Sequence, residues 1–436
     1  MLDQSSQWYK LQYPECFVNE EQRMLQKVFA DFADKEIMPV RDKIDDDVTH
    51  EKIIHPILKK LQVDLGCQKN TIPQEYGGNG LVSMVANSLK QEQLARADYG
   101  ISMHSAVTDW GWAPAVSAYF SPSPEVKAWG KTILDEFASK FTGNEMRAAC
   151  FNMSEAESAC DIENLQNEGR TIRVTAKLEG NEWVVNGNKL WASNAGIADL
   201  NCVICNMDPK LGIDAFTLVY VPEPWPGVSH GKPEVKCGMI ADINNATYFD
   251  NVRVPKAWGL QGPEAWAIFK YMLCSPMPSN SAHTVGILQG AFDVLLDYTG
   301  QRVVGGKPIN QHLHAAMILG EMASVITVGR AAFLELAHQY DHMDIYGAWD
   351  TDSMIAKGHA VHAFITRTAP ELILKGMELM GSYGYVRENH YEKYYRDVVV
   401  AKLVLGGVHL GYFATCRQFY DLDFSAFGPG KLPLPA

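Results

Sequence analysis

Two stretches of the sequence place polar and aromatic side chains in patterns that could bind a ligand. The first, FNMSEAESACDIENL at residues 151–165, is dense in small and acidic residues, so its backbone could approach a bound molecule closely. The second, NGNKLWASNAG at residues 186–196, contains Trp191 and, two residues later, Ser193. An indole and a hydroxyl on a strand beside a turn could hold a flat aromatic ligand. A purely structural role for each segment stays open.

Other pairs of chemically active side chains have simpler structural explanations. His338 and His342 in HQYDHMD are spaced to hold a metal on one helix face, but a solvated helix end explains them better. Cys202 and Cys205 fall in a strand-like segment, where residues three apart point to opposite faces. The sequence has no Walker A loop, no GxGxxG after a strand and no GxSxG elbow. We therefore predict no metal site and no phosphate-binding loop of these types.

Composition limits the class of protein. The 436 residues suggest two or three domains. A net charge of −13 without a basic block argues against a nucleic-acid partner. The N-terminus does not resemble a secretory signal, and no apolar run appears long enough to span a membrane. Nine scattered cysteines suggest reduced thiols. We expect a soluble cytoplasmic protein that does not bind membranes.

The elements that position these segments follow from the hydrophobic period. Helical spacing covers residues 19–45, with Asn19 as N-cap and Gln22 as its capping-box partner. Further helices are predicted at 51–63, 82–97, 101–118 and 124–140. Alternating segments separated by turns predict an antiparallel β-domain, and the helical period then returns at 263–300, 309–344, 349–381 and 396–421. The predicted domains are residues 1–147, 148–261 and 262–436.

Five segments, taken in order, form a characteristic set: EQLARADYG (92–100), SEAESACD (154–161), GNKLWASNAG (187–196), VGILQGAFD to YTGQRVVGGKPI (285–309) and ELMGSYGYVRENHYEKYYRD (378–397). With the order helices, β-domain, helices, they resemble the acyl-CoA dehydrogenase family of flavoproteins over nearly the whole chain. The resemblance implies an α+β fold with an N-terminal helical domain, a middle antiparallel β-domain and a C-terminal four-helix bundle.

The resemblance also implies FAD, bound between the β-domain and the C-terminal helices. By position, Ser154 would bond the flavin pyrimidine, Trp191 would cover the isoalloxazine and Ser193 would bond its polar edge. Arg302 would reach the pyrophosphate of a neighbouring subunit's FAD, which implies a homodimer or homotetramer. The other positions expected to contact FAD are Phe151, Met153, Glu378, Gly381, Gly407 and His409.

Some of these positions depart from the family pattern. Glu378 replaces a Gln that approaches the phosphates, and a carboxylate there is repulsive unless it is paired or protonated. Gly305 replaces a Phe after Arg302, and Leu313 stands at the place of another Gln. The sequence therefore predicts altered contacts to the adenine half of FAD.

An acyl-CoA substrate is the further implication, with an electron-transfer acceptor such as a flavoprotein. Cys160 replaces a Ser that contacts CoA, and Cys274 and Met277 replace a nearby Asp and Arg. The acyl cavity is expected to be lined by apolar or nearly apolar side chains. These suit a hydrophobic or alicyclic group, and their positions are Met103, Ala106, Val107 and Trp110.

The usual catalytic base is missing. Family chemistry removes the α-proton of a thioester with a carboxylate, but the two positions that carry it hold Leu405 and Pro276. Three other titratable groups are candidates. Asp109 and His104 lie on the helix expected to line the cavity, and His409 lies where the family approaches FAD.

Three functions remain open on this sequence. The first is α,β-dehydrogenation of an acyl-CoA, or a variant of that reaction, with a relocated base. The second is a base-less partner subunit in a hetero-oligomer whose homologous chain carries the Glu. The third is a flavin oxidase or monooxygenase on the same fold.

Overall fold

The computed structural model describes residues 6–47, 49–420 and 425. Its N-terminal part is helical, and the capping box predicted at Asn19 and Gln22 is present. Asp98 is the N-cap of the sixth helix, so the predicted helices 82–97 and 101–118 are nearly continuous. The helices are α1 (Gln7–Gln12), α2 (Glu20–Phe32), α3 (Arg41–Ile44), α4 (Ile54–Lys59), α5 (Met84–Ala97), α6 (Tyr99–Tyr119) and α7 (Pro124–Phe141).

The middle part contains two four-stranded sheets and one short helix. Their bounds are β1 (Ala149–Asn152), α8 (Cys160–Glu163), β2 (Thr175–Glu179), β3 (Glu182–Ser193), β4 (Leu200–Asn206), β5 (Phe216–Pro222), β6 (Val228–His230), β7 (Asn244–Pro255) and β8 (Gly259–Gln261). The strand orders are β1-β4-β5-β8 and β2-β3-β7-β6. All pairs are antiparallel except β1 with β4, because the chain crosses to the second sheet between these two strands.

The C-terminal part is again helical. Its elements are α9 (Pro263–Cys274), α10 (Met277–Gln301), the hairpin β9 (Val303–Val304) and β10 (Lys307–Pro308), α11 (Leu313–Asp341), α12 (Met343–Tyr346), α13 (Asp352–Met380), α14 (Ser382–Tyr385), α15 (Tyr391–Val398) and α16 (Gly407–Arg417). The order of helices, sheets and helices confirms the predicted fold class.

Two of the predicted long helices are broken. The helix expected over 263–300 ends at Cys274 and restarts at Met277, because Pro276 cannot donate the backbone hydrogen bond that would continue it. The helix expected over 396–421 is interrupted by Leu405, Gly406 and Gly407. Their φ angles of 54°, 72° and 70° lie in the left-handed region. Both breaks fall at positions where the missing base was sought.

Helix α11 is long and apolar enough to cross a membrane by length and composition, with a hydropathy of 1.5 over its best window. The sequence-based expectation of no such run was therefore too strict. Residues such as Met322, Phe333 and Leu334 on this helix are buried in a core shared with α5, α10 and α13. Its apolar character is explained by that packing on one side.

The two histidines considered for a metal lie at the end of α11. Their ring centroids lie 4.1 Å apart with the planes tilted by 34°, and His342 Nδ1 lies 2.8 Å from the carbonyl oxygen of His338. Asp341 between them accepts hydrogen bonds from the Val85 backbone N–H and from the hydroxyl of Ser83, the N-cap of α5. Among residues 6–47, 49–420 and 425, no three His, Cys, Asp or Glu side chains are arranged to hold a metal.

The Arg-Asp pair of the C-terminal segment ties the three parts together. Asp397 accepts a hydrogen bond from the Met239 backbone N–H at 2.7 Å, and Lys393 lies 3.0 Å from its carboxylate. Arg396 forms an ion pair with Asp45 at 2.7 Å. Since Asp45 belongs to the N-terminal part and Met239 to the β-domain, this buried cluster fixes α15 against both.

Candidate functional site

A buried ion pair joins the two segments that the sequence singled out. Lys189 Nζ lies 2.7 Å from Glu155 Oε1 and 2.8 Å from the carbonyl oxygen of Met153. Glu155 also accepts backbone N–H bonds from Arg173 and Val174 at 2.7 and 3.1 Å. Both charged side chains are almost completely buried. The pair was not predicted, and it fixes the loop after β1 against strand β3.

Ser154 and Trp191 are neighbours as a result. The backbone N–H of Leu190 donates to the carbonyl oxygen of Ser154 at 2.8 Å. The pairing of β3 with β7 is irregular between Lys189 and Ala192, and Trp191 in this bulge has a φ of 56°. A bulge re-aims a side chain, and the Trp191 indole is 59% exposed. An aromatic face is thus presented beside the Ser154 loop.

Ser193 lies at the end of the same strand. Its hydroxyl donates to Asp242 Oδ2 at 2.7 Å and accepts from Asn244 Nδ2 at 3.2 Å. Burial raises the pKa of Asp242, although Lys236 opposes the shift. Oδ1 of Asp242 is buried and has no hydrogen-bond partner among the described residues. A polar group therefore remains unsatisfied behind the hydroxyl expected to face the cofactor.

The other positions expected to contact FAD are spread over the surrounding surface. Phe151 and Gly407 are buried, Met153 is half-buried, and Glu378, Gly381 and His409 are exposed. Arg302 is exposed where α10 ends and the β9–β10 hairpin begins.

The three candidates for the base have different surroundings. Asp109 lies 2.9 Å from the buried Lys90 ammonium, so its carboxylate is held in an ion pair. Burial lowers the pKa of His104 to about 4, and neither of its ring nitrogens has a hydrogen-bond partner within the described chain. His409 is exposed on α16. None of them lines the cavity beside Leu405.

A different carboxylate lines the cavity beside Leu405. Glu163, the last residue of α8, lines a small closed cavity with Leu405 from the break before α16 and Met277 from the start of α10. The backbone N–H of Gly406 hydrogen-bonds the Glu163 carboxylate, and burial raises the pKa of Glu163 to about 8, with Asp161 acting in the same direction. Glu163 was not among the residues predicted from the sequence, although its segment is rich in acidic residues.

His359 of α13 lines the same small cavity. The side chain is 8% exposed, and burial lowers its pKa to about 3, so the imidazole is neutral near pH 7. Its Nδ1 is buried without a hydrogen-bond partner in the described residues. The carboxyl of the half-buried Glu163 and an unpaired imidazole nitrogen therefore line one small cavity.

A larger cavity of about 770 Å³ adjoins the small one, and Leu165 lines both. Its volume falls within the range usual for ligand sites. Arg170, Lys270 and Arg417 contribute three positive charges, and Trp266 contributes an indole, while the acids Glu168 and Asp352 also lie on the wall. The three cations were not identified from the sequence because they are far apart along the chain: Arg170 and Lys270 are 100 residues apart, and Lys270 and Arg417 are 147 residues apart.

The positions expected near the substrate are mostly in the core. Met103, Ala106 and Val107 are buried between α5, α6 and α10. Trp110 is half-buried and packs against the cores of both the β-domain and the C-terminal bundle. Cys160 is exposed at the start of α8.

Family models match most of the chain. They are described as the N-terminal domain of acyl-CoA dehydrogenase (residues 19–124), its middle domain (150–252) and its C-terminal domain (266–407). The chain belongs to the acyl-CoA dehydrogenase family. Members of this family are flavin oxidoreductases that bind FAD, so the predicted enzyme class and cofactor are confirmed.

Curated relatives and solved structures agree with this assignment. Cyclohexane-1-carbonyl-CoA dehydrogenase of Syntrophus aciditrophicus is 26% identical, with 88% of this chain and 93% of that protein covered. Cyclohex-1-ene-1-carbonyl-CoA dehydrogenase of Geobacter metallireducens is also 26% identical, covering 89% and 95%. A structure of the flavoprotein nitroalkane oxidase has the same fold, with a TM-score of 0.81, 20% identity and coverage of 94% and 97%.

The residues around Trp191 fit a flavin. An exposed indole suits the face of a tricyclic ring. The Ser154 and Ser193 hydroxyls could offer hydrogen bonds to its polar edge, and the unsatisfied Asp242 oxygen lies behind Ser193. When bound, FAD supplies an acceptor for a hydrogen with its electron pair, and these side chains would orient it.

Proposed function

We propose that this protein catalyses the α,β-dehydrogenation of a hydrophobic or alicyclic acyl-CoA thioester. The observation that carries the proposal is the pair of adjoining cavities. A wide cavity, with three cations and two acids on its wall, shares Leu165 with a small cavity that is lined by the Glu163 carboxyl. CoA has the matching chemistry, with phosphates and an adenine at one end and a thioester at the other.

Charge supports the fit of CoA to the wide cavity. The whole chain carries a net charge of −13, yet Arg170, Lys270 and Arg417 meet on this wall. Arg170 is paired there with Glu168 at 2.7 Å, so Lys270 and Arg417 are the more available cations. Guanidinium and ammonium groups are the usual partners of phosphate. Trp266 can stack on adenine. These residues would bind the nucleotide end and so place the thioester toward Glu163.

The small cavity has a free volume of only about 10 Å³, so an acyl group would have to widen it. Its apolar wall supports a substrate without a second charge. Leu165, Leu273, Met277 and Leu405 are its aliphatic members. A dicarboxylic acyl group would bring an unpaired carboxylate into this environment, which is costly. The relatives named for cyclohexane-1-carbonyl-CoA and cyclohex-1-ene-1-carbonyl-CoA point to the same class of substrate.

A flavin oxidase is the second candidate, favoured by the fold shared with nitroalkane oxidase. The base-less partner subunit stays a third possibility, since Leu405 does replace the usual Glu. Apolar side chains exposed on α11 and α13, such as Leu313, Met317 and Phe364, support an oligomer of identical or homologous chains. Electrons would leave the flavin to an electron-transfer acceptor such as a flavoprotein.

The test is an anaerobic spectral titration of the chain purified alone. We expect cyclohexane-1-carbonyl-CoA to bleach the flavin absorbance, with glutaryl-CoA and 1-nitrohexane ineffective. Bleaching by 1-nitrohexane and rapid reoxidation by O₂ would favour the oxidase. A chain that acquires flavin only when co-expressed with a homologue would favour the partner subunit. Either result would refute the proposal.

A further inference from the structure

We propose that Glu163 is the catalytic base of this protein, taking the place of the carboxylate that the family positions at Leu405. The inference rests on the proposed function and adds to it the identity of the proton acceptor. It begins from the position of Glu163, which lines the same closed cavity as Leu405 and Met277. Met277 directly follows Pro276, the second position at which the family carries its base.

The break before α16 makes room for this exchange. The backbone φ angles of Leu405, Gly406 and Gly407 all lie in the left-handed region. Leu405 is buried, with 7% of its surface exposed. A left-handed backbone is strained for a residue with a Cβ, so the surrounding structure imposes it at Leu405. The turn directs the Gly406 N–H toward the Glu163 carboxylate. At the place where other family members carry the Glu, the backbone of this chain instead donates a hydrogen bond to the Glu163 carboxylate.

The groups around Glu163 keep a carboxyl reactive. Asp161 on its own helix is a like charge, and Cys274 from α9 and His359 from α13 face it from the other elements. His359 is neutral and burial raises the pKa of the Cys274 thiol to about 12, so neither supplies a counter-charge near pH 7. A desolvated carboxylate without a cation is a stronger base than one in water.

The step assigned to Glu163 is simple. A Glu163 oxygen accepts the α-proton of the thioester as the α-C–H bond breaks, and that electron pair forms the α,β double bond. A bound flavin would supply the acceptor for the β-hydrogen and its electron pair, and an external acceptor would take those electrons onward. Glu163 then returns its proton to solvent once the enoyl product has left.

The cavity also explains why a base at Leu405 is dispensable. Its free volume of about 10 Å³ matches roughly one water molecule. A glutamate at position 405 would place two carboxylates in this space, and like charges so close cannot both ionise. The absence of a carboxylate at position 405 is therefore consistent with the use of Glu163 as the base.

The test measures the rate at which acyl-CoA bleaches the flavin in the FAD-loaded enzyme. Removing a general base typically costs a factor of 10²–10⁴. We expect Glu163→Gln to slow bleaching by that amount, while the matched control Glu157→Gln, an exposed acid in the same segment, keeps the wild-type rate. Leu405→Glu added to Glu163→Gln should restore part of the rate. A Glu163→Gln enzyme within about tenfold of wild type would overturn the proposal.

A second readout does not need activity. Infrared difference spectra of the FAD-free protein should show a carboxyl that titrates near pH 8 and is missing in Glu163→Gln. If that variant does not fold, Glu163→Asp replaces it, and a pH profile and rate identical to wild type would refute the assignment. A wild-type enzyme that no acyl-CoA bleaches refutes the proposed function instead, and the infrared titration keeps the two failures distinct.

Discussion

The buried pair of Glu155 and Lys189 gives a prediction that can be worked out from the structure. Breaking a buried ion pair by removing one partner costs about 3–5 kcal/mol. After Glu155→Gln, the Lys189 ammonium keeps only the Met153 carbonyl at 2.8 Å as a charge-stabilising partner. After Lys189→Met, Glu155 keeps the backbone N–H groups of Arg173 and Val174. We therefore expect Glu155→Gln to be the more damaging change.

Hydrogen exchange at the Val174 and Leu190 amides measures this locally. Since about 1.4 kcal/mol corresponds to a factor of ten, exchange should accelerate by roughly two to four powers of ten in Glu155→Gln. FAD should also dissociate faster, because the Ser154 loop is no longer fixed against Trp191. The double variant Glu155→Gln/Lys189→Met removes both charges, so its exchange should be slower than in Glu155→Gln alone.

An exposed charge on the same strand is the control. Glu182 pairs with Arg253 at 3.4 Å, and both side chains are about half exposed. Surface pairs contribute about 0–1 kcal/mol, so Glu182→Gln should change exchange and FAD release little. Additive effects of the two substitutions at Glu155 and Lys189 would refute the coupling, as would a Lys189→Met enzyme that loses more than Glu155→Gln.

Three further predictions concern single sites. Asp341→Ala removes the carboxylate that accepts from the Val85 N–H in the first turn of α5 and, as for loss of a cap, should lower the unfolding free energy by about 0.5–2 kcal/mol, measured by denaturation against the exposed Asp344→Ala control. Gly286→Ala would place a Cβ 2.2 Å from the Glu92 carbonyl oxygen, so the melting temperature should fall, whereas the same change at the open Gly320 should not lower it comparably. His409→Ala should leave the pH profile of flavin bleaching unchanged because the side chain is exposed. If the variant no longer showed the rise of the bleaching rate with pH, His409 would again be a candidate for the base.

Much of the fold was predictable because it depends on local patterns. The capping box at Asn19 and Gln22 requires only two residues three positions apart, and it is present. The breaks at Pro276 and at Leu405 were missed because the apolar period continues across them. A helix there is prevented by a missing N–H in one case and by left-handed backbone in the other.

The site was less predictable because it is made by contacts between distant segments. The segments of Ser154 and Trp191 were singled out by their motifs, yet the ion pair that joins them was not predicted. Glu163 and Leu405 are 242 residues apart, and only the folded chain places them in one cavity. Neither the hydrophobic period nor the residue spacing of a single sequence indicates a contact between segments so far apart.

The pH dependence of flavin bleaching follows from the raised pKa of Glu163. A general base must be deprotonated to accept the α-proton, and burial raises the pKa of Glu163 to about 8. The rate should therefore rise with pH through about 8 and level off above it. In Glu163→Gln this limb should disappear.

A structure of the enzyme with FAD and a bound acyl-CoA tests the central claim most directly. The quantity to measure is the distance between the α-carbon of the thioester and the nearest Glu163 carboxylate oxygen. Reacting atoms in a productive complex lie about 3–3.5 Å apart, and we predict that distance. A thioester bound elsewhere, or an α-carbon facing another titratable group while Glu163 points away, would contradict the account.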